Sequence, residues 1–75
     1  MSRLTYQGLS RLKPEQKVRY IAGLGHFFVE ATATVVRVGG TGATIRLEQI
    51  HSKGKAIEYQ EGDEIHAGPQ ELELA

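Results

Sequence analysis

The chain contains no cysteine and no tryptophan, and only two of its 75 residues are proline. Without cysteine it can form neither a disulfide nor a zinc–thiolate centre, and it has no thiol nucleophile. No apolar run approaches the roughly 18 residues that a membrane-spanning helix needs. The first five residues also lack the apolar stretch of a signal peptide. We therefore expect a protein of the cytoplasm.

Positive and negative charges balance each other but are unevenly distributed along the chain. Nine Lys and Arg residues match nine Asp and Glu residues, so the formal net charge is zero. Residues 1–38 carry six basic and two acidic side chains, whereas residues 39–75 carry three basic and seven acidic ones. Overall neutrality argues against a dedicated nucleic-acid-binding protein, whose domain is usually strongly basic. The asymmetry between the halves is typical of a chain that steers a partner or associates with itself.

The clearest pattern is a long hairpin that runs from about Phe27 to Ile50. Apolar residues occupy alternate positions from Phe27 onward, and the phase slips by one residue at Val35–Val36. Such a slip indicates a β-bulge, which bends a strand. The glycine-rich segment 39–42 suits the hairpin turn. If the turn is symmetric, the opposed residues are Val38 with Ala43, Val36 with Ile45 and Ala33 with Leu47.

The segment before the hairpin is expected to form an arm, a strand and a loop. Residues 1–11 form an N-terminal arm, and Leu9, Leu12 and Tyr6 are expected to pack on the core. Residues 14–22 fit a strand or, alternatively, a short helix that begins at Pro14 and stops at Gly23. Nine residues are few for a helix with a narrow apolar stripe, so the strand is favoured. Two glycines within residues 23–26 then predict a loop.

Short strands and turns make up the second half of the chain. We expect a turn at 51–55, a strand at 56–60 with Ile57 and Tyr59 facing inward, and a turn at 61–63. A strand over 64–67 ends at a Gly-Pro pair, and residues 70–74 form a last strand or a turn of 3₁₀ helix. Turn signals every 8–12 residues or so are typical of a small barrel or sandwich.

Residues 12–74 resemble the SH3-like small β-barrels in their pattern. The segments 12–20 and 62–73 are similar to the opening and closing strands of such barrels, and a bent second strand fits between them. The resemblance implies an all-β fold, a five-stranded antiparallel barrel over residues 12–75. The acidic and aromatic pairs with which signalling SH3 domains bind proline-rich peptides are missing. Residues 35–49 are also similar to the central hairpin of hot-dog-fold thioesterases, but the chain has no room for the long helix of that fold.

No set of residues in the sequence points to catalysis or to a cofactor. The histidines His26, His51 and His66 are 25 and 15 residues apart, which is too far for a local metal motif. The glycines at 23–25 and 39–42 lack the remaining residues of a dinucleotide or phosphate loop. Carboxylates at 61–64 lie at a turn, and so short a chain offers little volume for a cleft. We therefore expect a non-enzymatic protein without metal or cofactor.

Binding is the function that the sequence favours. Apolar and aromatic residues in the loop before the hairpin can contact a protein, and basic residues precede them. The predicted contact residues are Leu24, His26, Phe27, Phe28, Arg11, Lys13, Lys17 and Arg19. We expect the chain to bind a protein partner or a second copy of itself. The alternative is a weak nucleic-acid-binding barrel in which the basic stretch Arg11–Arg19 follows a phosphate backbone.

Overall fold

Five antiparallel strands form one open sheet in the order β4-β3-β2-β1-β5. The computed structural model describes residues 3–75, so residues 1 and 2 of the predicted arm lie outside this range. The strands are β1 (Lys17–Ala22), β2 (Val29–Val38), β3 (Ala43–Lys53), β4 (Glu64–Ala67) and β5 (Leu72–Leu74). One short helix, α1 (Tyr6–Leu9), and two 3₁₀ turns, Gly25–Phe27 and Pro69–Glu71, accompany them. The predicted mostly-β fold of five antiparallel strands is thus confirmed as an open sheet with little helix.

Alternation along β1, β2 and β3 places one face of the sheet in the core. In β1, Val18 and Tyr20 are 0% and 5% exposed, which makes the helical alternative wrong and confirms a strand, although it begins at Lys17 and not at Pro14. The apolar residues of the hairpin that are buried with them are Val29, Ala31, Ala33, Val35, Ala43, Ile45 and Leu47. Phe27 begins the alternating pattern in the sequence but lies outside β2, which starts at Val29. It lies in the 3₁₀ turn before β2, where the tight turn interrupts the alternation.

The predicted bulge in β2 is confirmed. Pairing passes from Val35 opposite Ile45 to Arg37 opposite Thr44, which leaves Val36 as the extra residue. Val38 lies opposite Ala43 and Ala33 opposite Leu47 as predicted, but Val36 does not lie opposite Ile45, because the bulge extrudes it. Two further register shifts occur earlier in β2. Irregularities of this kind bend and twist a pair of strands.

The second half of the chain departs from the prediction in two places. Strand β3 continues to Lys53, so the turn expected over 51–55 begins only at Gly54. Residues 56–60 form no strand within the described chain, although Ile57 and Tyr59 do pack against the core as expected. The turn at 61–63, the strand at 64–67 and the break after it are confirmed. Both alternatives for 70–74 occur, since a 3₁₀ turn leads directly into β5.

The N-terminal segment is part of the packed structure. Leu9 and Leu12 are 2% and 6% exposed and belong to the core cluster. The expectation that Tyr6 also packs there is wrong, because a helix of one turn buries only its Leu9 side and leaves Tyr6 exposed. The N–H of Leu4 donates to the carbonyl of Leu72 at 2.9 Å. The segment is therefore fastened along the outer edge of β5.

Candidate functional site

The loop between β1 and β2, residues 23–28, carries the most exposed large apolar side chains of the described chain. Leu24 is 86% exposed and Phe27 is 67% exposed. Phe28 is partly buried, and His26 is exposed. We call this segment the apolar loop. All four of its predicted contact residues are therefore close together at one end of the sheet.

The apolar loop is closed by its own backbone. The N–H of Phe27 donates to the carbonyl of Leu24 at 3.0 Å, and the N–H of Phe28 donates to that of Gly25 at 3.2 Å. Gly23 adopts φ 75°, a left-handed conformation, and a Cβ there would overlap the backbone carbonyl of Phe27. Only glycine accepts both conditions without distortion. The loop therefore has one defined conformation.

A neighbouring turn supports the apolar loop from outside. The N–H of Gly54 donates to the carbonyl of Phe28 at 2.7 Å, and the N–H of Ala56 donates to that of His26 at 2.8 Å. A Cβ at Gly54 would overlap the backbone of His26, so the two segments lie in direct contact. Leu24 and Phe27 are therefore exposed on a loop whose backbone is hydrogen-bonded to a neighbouring segment. Their side chains project from a backbone that is held on two sides.

A shallow groove of about 610 Å³ lies beside the apolar loop. Its lining residues are Arg3, Ile21, Ala22, Gly23, Leu24, Phe28, Gln70 and Glu71. Arg3 is fixed in its wall, because Nη1 donates to the carbonyl of Ile21 at 2.9 Å and Nε lies 3.1 Å from a carboxylate oxygen of Glu73. The groove thus combines apolar walls with one cation and one carboxylate. These are the features of a surface that takes an apolar side chain next to a polar group.

The predicted basic residues are not brought together with the apolar loop. Arg11 and Lys13 are exposed but precede β1, whereas the loop follows it. A strand of six residues spans roughly 20 Å. Arg11 and Lys13 therefore lie beyond the other end of β1 from the apolar loop and form a separate surface.

Lys17 and Arg19 have partners on the outer face of the sheet. The ammonium of Lys17 donates to Oγ1 of Thr34 at 2.9 Å, and that hydroxyl donates to a carboxylate oxygen of Glu48 at 3.0 Å. Arg19 forms an ion pair with Glu30 and lies 3.8 Å from a carboxylate oxygen of Glu73. Hydrogen bonds from Thr34 and then from Arg46 lower the pKa of the Glu48 carboxyl from its ordinary 4.5. Arg19 is therefore ion-paired on the sheet, whereas Lys17 is hydrogen-bonded to a hydroxyl and stays exposed.

Several residues of the groove were missed by the sequence analysis. Ile21 carried a signal, because it is the one apolar residue on the face of β1 that also bears Lys17 and Arg19. Arg3, Gln70 and Glu71 carried none. Gln70 and Glu71 reach the groove because β5, which follows them, pairs with β1. Arg3 reaches it because the N-terminal segment contacts Leu72 and Ile21. No local pattern shows these long-range contacts.

The three histidines do not meet. His26 lies in the apolar loop, His51 in β3 and His66 in β4. Within residues 3–75, no group of three or more His, Asp or Glu side chains is arranged to hold a metal ion. The ring of His51 contacts β2, where its Nε2 lies 2.7 Å from Oγ1 of Thr32.

The chain has no significant similarity to a known protein family, to a curated protein or to a solved structure. Across the described residues, no helix combines the length and apolar character required to cross a membrane.

Proposed function

We propose that this chain is a small non-enzymatic binding domain that recognises a protein partner through the apolar loop and the adjoining groove. The observation that carries the proposal is the exposure of Leu24 and Phe27, 86% and 67%, on a loop with a fixed backbone. An enzyme would need a nucleophile or a convergent set of acid and base groups, and the groove offers only Arg3 and Glu71 beside apolar walls.

The physical reason is the cost of ordering. A flexible loop loses conformational entropy when it binds, whereas a loop already held in place loses little. Large apolar side chains displayed on such a loop gain the free energy of burial with little opposing cost. Leu24 and Phe27 satisfy this condition, because Gly54 and Ala56 hold the backbone from which they project.

The contacts of the basic residues favour a protein partner over nucleic acid. A phosphate-binding stretch needs several free cations in a row, but Lys17 and Arg19 contact Thr34, Glu30 and Glu73. Arg11 and Lys13 remain as exposed cations of the predicted stretch.

We also propose that the sheet curls into an SH3-like barrel. Residues of β3 and β5, among them Ile45 and Leu72, belong to one core cluster, although three strand spacings, about 14 Å, separate these strands in a flat sheet. The bulge at Val36 and the 3₁₀ turn before β5 support the same curvature. Nuclear Overhauser contacts between the methyl groups of Ile45 and Leu72 are expected for a barrel, and their absence would contradict it.

Peptide selection tests the proposed function. Peptides selected from a displayed random library on the purified chain are expected to bind the wild type and to lose at least about tenfold in affinity for Leu24→Ser/Phe27→Ser, the loss expected for central apolar contacts. Arg11→Ser/Lys13→Ser is the matched control, because it changes two exposed residues at the other end of β1 and is expected to leave binding unchanged.

Folding and nucleic-acid binding are checked on the same variants. Both double variants are expected to melt within a few degrees of the wild type, since the altered side chains are exposed. Peptides that bind the loop variant as well as the wild type would contradict the proposal. Binding of a mixed-sequence oligonucleotide at low salt, weakened by Arg11→Ser/Lys13→Ser, would instead support the nucleic-acid alternative.

A further inference from the structure

The two edge strands of the sheet differ in how they are covered. At the edge formed by β5, the carbonyl of Leu72 accepts from the N–H of Leu4, and the N–H of Leu72 donates to the carbonyl of Pro69. At the other edge, β4 pairs with β3 alone. Within residues 3–75, no hydrogen bond outside the ladder with β3 reaches the backbone of β4. The edge formed by β4 is therefore the open one.

The hydrogen-bonding groups on this edge belong to Glu64 and His66. Leu47 of β3 donates to the carbonyl of Asp63 at 2.9 Å, which fixes the phase of the ladder. Because backbone groups alternate between the two sides of a strand, Ile65 and Ala67 point towards β3. The N–H and C=O groups of Glu64 and His66 therefore point away from the sheet.

We propose that two copies of the chain pair through this edge, β4 against β4, around a two-fold axis at Ile65. In an antiparallel pair centred on Ile65, Glu64 of each copy lies opposite His66 of the other. These are the residues whose backbone groups are free, so they exchange hydrogen bonds across the axis in both directions. No other register with a two-fold axis matches all of the free groups.

The side chains fit the same register. Glu64 and His66 lie on the outer face, opposite Arg46 and Thr44 of β3, so the register sets a carboxylate beside an imidazole on both sides of the axis. The ring of His66 lies close to Gly42, where an added Cβ would be 2.7 Å from Nε2. Ile65 lies on the core side and meets Ile65 of the second copy. Backbone, polar and apolar contacts are therefore all self-complementary, which a two-fold dimer requires.

A second copy is favoured over an unrelated extended segment for this reason. An unrelated strand would satisfy the backbone groups, but nothing in β4 selects its side chains. In the β4–β4 pair the selecting residues are already present in the required order. The dimer surface is separate from the apolar loop, which lies at the ends of β1 and β2, two strands or more away from β4.

The test is sedimentation velocity over a series of concentrations with charge-swap variants. The wild type is expected to pass from monomer to dimer as its concentration rises. His66→Glu sets two carboxylates opposite each other on both sides of the axis and is expected to weaken association roughly tenfold. Glu64→Lys/His66→Glu sets opposite charges across the axis and is expected to recover the dimer. Gln7→Glu, which adds the same charge to an exposed position on α1, is the matched control.

A variant that removes a backbone N–H distinguishes pairing through the strand edge from a general effect of added charge. His66→Pro removes the outward N–H and leaves the bonds to β3, since proline is tolerated where the lost N–H faces away from the sheet. It is expected to weaken the dimer while the fold survives, as judged by circular dichroism. A chain that stays monomeric throughout, one that grows beyond dimers, or association unaffected by His66→Glu and His66→Pro would each overturn the proposal. Loss of association in Leu24→Ser/Phe27→Ser would show that the copies associate through the apolar loop instead. Selected peptides are expected to bind His66→Glu as they bind the wild type, so failure of the dimer proposal and failure of the proposed function can be told apart.

Discussion

The backbone N–H of Gly54 donates to the carbonyl of Phe28 at 2.7 Å, and the α-carbon of Gly54 lies against the backbone of His26. A Cβ at this position has no room, because the atoms it would meet belong to backbone and cannot rotate away. We therefore expect Gly54→Ala to push the 54–56 turn away from the apolar loop and to cost about 1–3 kcal/mol in the free energy of unfolding.

Chemical denaturation measures this loss, and Gly40→Ala is the matched control. Gly40 lies in the hairpin turn, and an added Cβ there would meet nothing within 4 Å. Its alanine variant is expected to be neutral within about 1 kcal/mol. Equal effects of the two variants would show that the contact at Gly54 does not hold the loop.

The sequence predicts the strands wherever apolar residues alternate, and it fails where backbone contacts decide. The bulge was visible because Val35 and Val36 are two apolar residues in succession. The extension of β3 to Lys53 was not, because residues 51–53 are exposed and belong to the strand only through pairing with the start of β2. Ile57 and Tyr59 show the opposite error. Their alternation predicts correctly that both side chains pack on the core, but it does not show whether the backbone joins the sheet.

The candidate site was predicted in part for a related reason. The apolar loop could be chosen because Leu24, Phe27 and Phe28 lie within a six-residue segment that also holds two glycines. Its support from Gly54 and its neighbour Arg3 could not, because they come from distant parts of the chain through β3 and β5. Residue composition likewise cannot show that Lys17 and Arg19 are engaged on the sheet.

The buried hydroxyl of Thr34 links two charged side chains across the outer face, and its removal is the second prediction. Thr34 is 2% exposed, accepts from Lys17 and donates to Glu48. Thr34→Val keeps the shape but removes both bonds, so we expect lower stability at neutral pH. The hydrogen bond holds the pKa of Glu48 below 4.5, so its contribution is present above pH 4.5 and is lost as the pH falls further.

Thermal melting as a function of pH checks this prediction. The wild type and Thr34→Val are expected to differ at pH 7, and the difference is expected to shrink as the pH falls below 4.5, because the bond to Glu48 is lost there while the bond to Lys17 remains. Thr32→Val is the control, since it removes another outer-face hydroxyl that contacts His51 instead. A difference that persists unchanged in acid would rule out Glu48 as its source.

The N-terminal segment gives the third prediction, because it tests where the folded domain begins. Leu9 is 2% exposed and belongs to the core. Leu9→Ala is therefore expected to cost about 2–4 kcal/mol, the usual range for a buried leucine. Tyr6→Ala, in the same helix but 64% exposed, is expected to cost less than about 1 kcal/mol. Urea unfolding measures both, and equal small losses would mean that residues 1–11 are an arm outside the domain.

The last prediction concerns alkaline pH and Tyr20. This residue is 5% exposed in the core. Its burial, and then the negative charge of Glu71 and the neighbouring Tyr59, raise the pKa of Tyr20 from 10.0 to about 12. A raised pKa means that the folded state keeps the phenol protonated after the unfolded state has ionised. The stability that Tyr20 contributes is therefore complete below pH 10 and falls as the pH rises from there towards 12.

Denaturant unfolding between pH 8 and 11.5 is expected to show this fall in the wild type and a smaller one in Tyr20→Phe, whose side chain cannot ionise. Parallel curves for the two proteins would assign the alkaline loss to other groups.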